Sequence, residues 1–236
     1  MGAPLRDIPG VKRPPRGAAL VADLEQRFVT VNDDVRVADR DVNILRPRSA
    51  EDLISESDFE RDERLPYWAE LWPSSTILAN FIAADTRPRG RVIELGAGVG
   101  LVSIAAAIAG HEVTASDYYE DALAFARANS FRNLGYEIDT ALVDWRDVPP
   151  DFPRFDVVLA SDVLYESRYA PLVASVVDRF LSARGVAYIA DPGRVAANAF
   201  VDACIERGLA IRTRATRPYQ AGAIRQTIAV YEVTRQ

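Results

Sequence analysis

From residue 91 to residue 233 short apolar runs alternate with longer amphipathic ones, and no other feature of the chain restricts its fold more. The runs 91–95, 112–116, 138–143, 155–160 and 186–190 read as buried strands, and 101–109, 121–133, 169–181 and 196–207 carry the apolar spacing of helices. A helix between two strands returns the chain to the same end of the sheet, so such strands lie parallel and need cover on both faces. The last two runs, 209–213 and 227–233, have no helix between them and are expected to pair as an antiparallel hairpin at one side. The fold class expected is therefore α/β, a doubly wound, mostly parallel sheet.

Upstream of the first core strand, Ser74 and Ser75 follow Pro73 and can cap a helix bearing Ile77, Leu78, Phe81 and Ile82. Residues 28–45 alternate in the manner of a β-hairpin, with Asn32, Asp33 and Asp34 as its polar turn. Residues 1–18 hold four prolines and no apolar period, so a loose tail that stays out of the core is expected there. The acidic stretch 48–64 reads as an exposed connector. This divides the chain into an N-terminal extension, 1–64, and a main α/β domain, 65–236.

Directly after the strand 91–95 comes Gly96-Ala97-Gly98-Val99-Gly100, and a helix follows. In a doubly wound sheet ligands bind beyond the carboxyl ends of the strands, where glycines let the backbone approach them. The spacing is G-x-G-x-G, with Leu101 where the dinucleotide fingerprint requires its third glycine, so a nicotinamide or flavin is disfavoured. Glu94 at the strand end suits a ligand with a cationic amino group. Asp117, 21 positions after Gly96 at the end of the next strand, can accept hydrogen bonds from both ribose hydroxyls.

Together with Pro66-Tyr67-Trp68-Ala69-Glu70-Leu71-Trp72-Pro73-Ser74, Asp144-Trp145 and Ser161-Asp162-Val163-Leu164-Tyr165, these residues carry a resemblance. The chain resembles the class I, seven-strand, Rossmann-like methyltransferases that use S-adenosylmethionine. More narrowly it is similar to the METTL21-like and electron-transfer-flavoprotein β-subunit lysine methyltransferases, over roughly residues 65–235. The resemblance implies that Glu94, Gly96, Ala97, Gly98 and Asp117 hold the amino acid and ribose parts of the cofactor. It implies that Asp144 and Trp145 flank the adenine, that Trp72 faces the cofactor, and that Ser161 completes that side. Trp68 and Trp72 lie four apart and would share a face on one helical turn, with core packing as the other reading of each.

By the same resemblance Asp162 and Tyr165 form the acceptor side. A lysine is neutral in only about one molecule in a thousand near pH 7.4, so its site must desolvate, orient or deprotonate an ammonium. A carboxylate and a tyrosine after a core strand suit that work. The implied activity is N-methylation of a protein lysine; a small-molecule N-methyltransferase and a non-catalytic cofactor-binding scaffold are the alternatives. The acidic or Asn residue followed by two prolines and an aromatic, found in many DNA and glutamine amino-methyltransferases, is absent. Asp191-Pro192-Gly193 reads first as a turn and second as a loop on the substrate side.

A net charge of -6 argues against a general nucleic-acid binder, the cluster Arg207, Arg212, Arg214 and Arg217 reading as a solvated edge. One cysteine, Cys204, and one histidine, His111, leave no intramolecular disulfide and no ordinary zinc site, so no metal is expected. No apolar stretch reaches the ~18 residues of a membrane span, and a cytoplasmic setting is expected. His111 follows Gly110 at a helix-to-strand turn and is read as structural.

Overall fold

The computed structural model describes residues 17–53 and 66–236. Residues 1–16 of the tail expected over 1–18, and most of the acidic connector, therefore lie outside the described residues. In chain order the elements are α1 (Gly17–Arg27), β1 (Thr30–Val37), β2 (Arg40–Pro47), α2 (Pro73–Ala83), β3 (Arg91–Leu95), α3 (Leu101–Ile108), β4 (Glu112–Asp117) and α4 (Glu120–Leu134). They continue with β5 (Asp139–Leu142), β6 (Phe155–Ser161), α5 (Tyr169–Phe180), β7 (Leu181–Asp191), α6 (Ala197–Glu206), β8 (Leu209–Ala221) and β9 (Ile224–Arg235). Seven strands form one sheet in the order β5-β4-β3-β6-β7-β9-β8, parallel as far as β7. β9 runs antiparallel to both of its neighbours, as the missing helix between the last two runs predicts.

Alternation along each strand sends side chains to two separate cores. Val92, Val113, Val157 and Tyr188 meet α2, α3 and α4 on one face; Ile93, Leu95, Val158 and Ile189 meet α5 and α6 on the other. From β3 the chain moves outward through β4 and β5, then returns to add β6 on the opposite side. That reversal opens a crevice at the carboxyl ends of β3, β4 and β6.

Three expectations fail near the N-terminus. Residues 17 and 18 belong to no tail: Gly17 opens α1 and is buried, and Leu20 and Leu24 join the core. A Cβ on Gly17 would lie 2.1 Å from the Phe131 ring, so α1 packs on α4 without room for a side chain there. The hairpin exists, but its turn is at Ala38 and Asp39, not at Asn32–Asp34, which lie inside β1. Those polar residues have partners across the ribbon instead: Arg46 bonds Asp33, and Asn43 bonds Asp34 at 2.7 Å. Ser74 and Ser75 do not cap α2, because Trp72 is its N-cap and Pro73 its first residue. Proline has no amide hydrogen to satisfy and its φ suits that place.

The ribbon is tied to the main domain by two asparagines one helical turn apart. The Asn129 side chain accepts from the Leu45 amide at 2.8 Å and donates to the Leu45 and Val99 carbonyls at 2.8 and 2.9 Å. Asn133 does the same for the Asn43 amide and carbonyl. These amides serve β2 as a surrogate neighbouring strand, and through Val99 they also fix the glycine turn. His111 lies at the opposite end of the sheet, accepting from the Gly90 amide at 3.2 Å, and burial lowers its pKa.

Candidate active site

A cleft of about 1000 Å³, open to solvent, lies at the carboxyl ends of β3, β4, β5 and β6. All the residues singled out by the sequence line it: Trp72, Glu94, Gly96, Ala97, Gly98, Asp117, Asp144, Trp145, Ser161, Asp162 and Tyr165. The strand order explains why residues scattered over 94 positions converge, since all but Trp72 end a parallel strand or follow one, and Trp72 comes in from the segment that leads into α2.

Glu94 is buried on the α3 side of β3 and accepts from the Ser103 hydroxyl at 2.5 Å. Burial, with repulsion from Asp117 as a smaller cause, pushes its carboxyl up to about 8 against the opposing hydrogen bonds from Ser103. Asp117 is likewise buried, accepting from the Gly98 amide at 2.9 Å and the Tyr119 amide at 3.1 Å. Burial raises its pKa and the backbone donors hold it back. Tyr118 is a further backbone donor to this carboxylate.

Gly98 has φ 51°, and a Cβ there would stand 2.9 Å from the Trp68 carbonyl oxygen. The glycine thus serves a close approach of the chain's own backbone as well as any ligand. Above Gly96 the nearest side chains are Val163 and Trp145, at 3.3 and 3.6 Å from where a Cβ would sit. Trp145 also meets Tyr169 edge-on, centroids 6.1 Å apart. Asp144 forks with Arg146, Nη2 to Oδ2 at 2.6 Å, so its carboxylate already holds a guanidinium.

Trp68 and Trp72 do not share a helical face. Residues Tyr67–Ala69 make a single 3-10 turn, Glu70 is extended, and Trp72 precedes a proline, which disfavours helical backbone at that position. Trp68 turns toward the core, its ring 5.7 Å from Phe125. Trp72 turns toward Tyr67, donating its indole N–H to the Tyr67 carbonyl at 2.9 Å.

At the far end of the cleft Tyr165 packs between Tyr67 and Tyr169, at 5.1 and 4.9 Å between centroids. Beside it Asp162, the first residue after β6, has φ 58°, a left-handed conformation that Asp tolerates better than most residues. Its carboxylate accepts from Arg194 Nε at 2.7 Å and from the Ser74 hydroxyl at 3.0 Å. Sequence reasoning missed both partners, along with Tyr67, Tyr119 and Tyr169. Ser74 and Tyr67 stand inside the quoted tryptophan segment, without a site role assigned there, and Tyr119 lies two positions past Asp117, so adjacency was a usable signal for them. Arg194 follows Asp191-Pro192-Gly193, read first as a turn and second as a substrate-side loop, and no residue type in that run singles out Arg194 itself. Among the described residues no group of three or more His, Cys, Asp or Glu side chains could hold a metal.

A buried acid beside a glycine turn, a second acid at the next strand, and an indole at the third suit a ligand carrying an ammonium, a ribose and a purine. A family model described as lysine methyltransferase matches residues 58–203. The chain belongs to the lysine methyltransferase family. With the family comes the cofactor, S-adenosylmethionine. Among its relatives, the protein N-lysine methyltransferase METTL21A of Danio rerio is 31% identical over 129 residues, 51% of this chain and 58% of that protein. The protein-lysine N-methyltransferase EFM2 of Saccharomyces cerevisiae is 28% identical over 134 residues, 50% of this chain and 32% of that protein. The chain thus spans about half the length, or less, of these curated relatives. In fold it is similar to magnesium protoporphyrin IX methyltransferase from Synechocystis PCC 6803 with bound SAM. The TM-score is 0.57 at 19% identity, covering 78% of this chain and 94% of that one.

Proposed function

We propose that this lysine methyltransferase family member methylates a lysine side chain of a protein, with the cofactor at the Glu94–Asp117 end of the cleft and the acceptor at the Asp162–Tyr165 end. The observation that carries the reading is that the tyrosine cluster Tyr67, Tyr165 and Tyr169 lines, with Asp162, the same cleft as the glycine turn. When bound, S-adenosylmethionine supplies a methyl group already activated on a sulfonium, so no covalent intermediate with the protein is needed and alignment is the protein's main task.

Glu94 faces the amino acid end, where an ammonium would relieve the cost of burying its charge. Asp117 takes the ribose, and Trp145 offers a ring face to the purine. Tyr67, Tyr165 and Tyr169 wall the acceptor end, and removing water there favours the neutral amine. Asp162, held by Ser74 and Arg194, attracts the incoming ammonium and fixes its direction. With donors on both oxygens it is suited to orienting the amine more than to carrying its proton away. The names of METTL21A and EFM2 both specify protein lysine, which supports the same acceptor class here.

We further propose that residues 65–236 form the catalytic unit, braced by the ribbon through Asn129, and that it works in the cytoplasm, where the buried thiol of Cys204 stays reduced. Among the described residues no helix is long and apolar enough to cross a membrane. The test is tritium transfer from labelled S-adenosylmethionine into a cell lysate, resolved both by gel and by small-molecule extraction. Label in protein bands is expected; label confined to the extract would replace the protein acceptor with a small amine.

A further inference from the structure

Arg194 reaches Asp162 from the turn between β7 and α6, and it is not part of the cleft lining. Its guanidinium stands 5.4 Å above the Trp72 ring while its Nε donates to Asp162 at 2.7 Å. A cation held between a carboxylate and an indole face is the arrangement that a substrate ammonium needs. We propose that Arg194 is the site's resident cation, a specificity-determining latch that the substrate's ammonium must displace from Asp162.

The inference rests on Asp162 as the acceptor-side carboxylate. Two asymmetries support it. The Asp162 side chain is 3% exposed and that of Arg194 32%, so the anion is fixed and the cation sits at the solvent side. The backbone of Arg194 is pinned independently of its side chain: the Gly193 and Arg194 amides both donate to Asp191 Oδ1, at 2.7 and 2.8 Å. The side chain can therefore swing outward without moving the turn. A buried carboxylate left without a cation is costly, so Arg194 neutralises the site between turnovers. Exchange of one cation for another keeps it neutral, whereas an uncharged side chain has no such exchange to offer. The latch selects for cationic acceptors by competition.

The test uses n-butylammonium as a lysine surrogate, titrated into the full chain saturated with S-adenosylhomocysteine. Binding is followed by the emission of Trp72, with Trp72→Phe as the blank and n-butanol as the uncharged control. Arg194→Gln should bind the probe about fivefold more tightly than wild type, the scale of displacing a partly exposed ion pair. Arg194→Lys, which keeps a competing cation, should remain close to wild type, and adding Asp162→Asn to Arg194→Gln should abolish the gain. Equal or weaker binding by Arg194→Gln, with Asp162→Asn still weakening the wild type, would overturn the latch and leave the acceptor site standing. Binding indifferent to Asp162→Asn in both backgrounds would overturn the acceptor-site reading itself.

Discussion

Raising the pH from about 5.5 to about 8.5 should cost the ligand-free protein stability through Glu94, and Glu94→Gln should escape that cost. Burial raises this carboxyl from 4.5 to about 8, so across that interval the folded chain holds a proton that the unfolded chain has released. The stabilisation is fully present below 4.5, declines as the pH rises, and is gone above about 8. At about 1.36 kcal/mol per unit, the part of the interval above about pH 5.5 amounts to roughly 3 kcal/mol. Glutamine has no charge to lose and its amide oxygen still accepts from Ser103. Urea unfolding of both proteins at the two pH values gives the comparison. The stability of Glu94→Gln relative to wild type should grow by roughly 3 kcal/mol with unchanged urea slopes. A relative stability that moves by less than about 0.5 kcal/mol would refute burial of an ionisable Glu94 as the cause. Saturating S-adenosylmethionine should flatten the wild-type slope, because its ammonium compensates the ionised carboxylate.

Asp117→Ala should weaken S-adenosylmethionine by about 1–3 kcal/mol in calorimetry, and unchanged affinity would remove Asp117 from the ribose contact. Asn129→Ala takes partners from the Leu45 amide and from two carbonyls in a buried setting, so urea unfolding should show a loss of about 2–4 kcal/mol. A loss below about 1 kcal/mol would mean that water replaces those bonds. Methyl transfer should survive EDTA; activity abolished by EDTA and restored by magnesium would contradict a site built without a metal.

The centre of the sheet was legible because most of β3, β4, β6 and β7 is buried, which sets these apolar runs off from the helices and loops beside them. The convergence of the candidate residues on one cleft was legible too, since residues at the ends of neighbouring parallel strands must meet at one edge. Elements decided by tertiary contact were not. α1 has its apolar Leu20 and Leu24 at helical spacing, but it depends on Gly17 fitting against Phe131, a contact 114 positions away. The hairpin turn was misplaced because Asn32, Asp33 and Asp34 have turn composition, whereas Arg46 and Asn43 across the ribbon hold the last two in a strand. β8 and β9 run well past 209–213 and 227–233, because much of their length is exposed and lacks the apolar period. The Asp162 partners Ser74 and Arg194 come from 88 and 32 positions away, on elements that only the folded sheet brings together.

On the proposed reading one cleft separates a cofactor end, built on β3 and β4, from an acceptor end built on β6. Single-turnover methylation by Asp162→Asn, measured beside its calorimetric affinity for S-adenosylmethionine once an acceptor is in hand, tests this most directly. The substitution nearly preserves volume and removes the charge proposed to orient the ammonium. The rate should fall by roughly 10² or more while cofactor affinity stays at the wild-type value. A wild-type rate, or a loss of cofactor affinity that matches the loss of rate, would contradict the division.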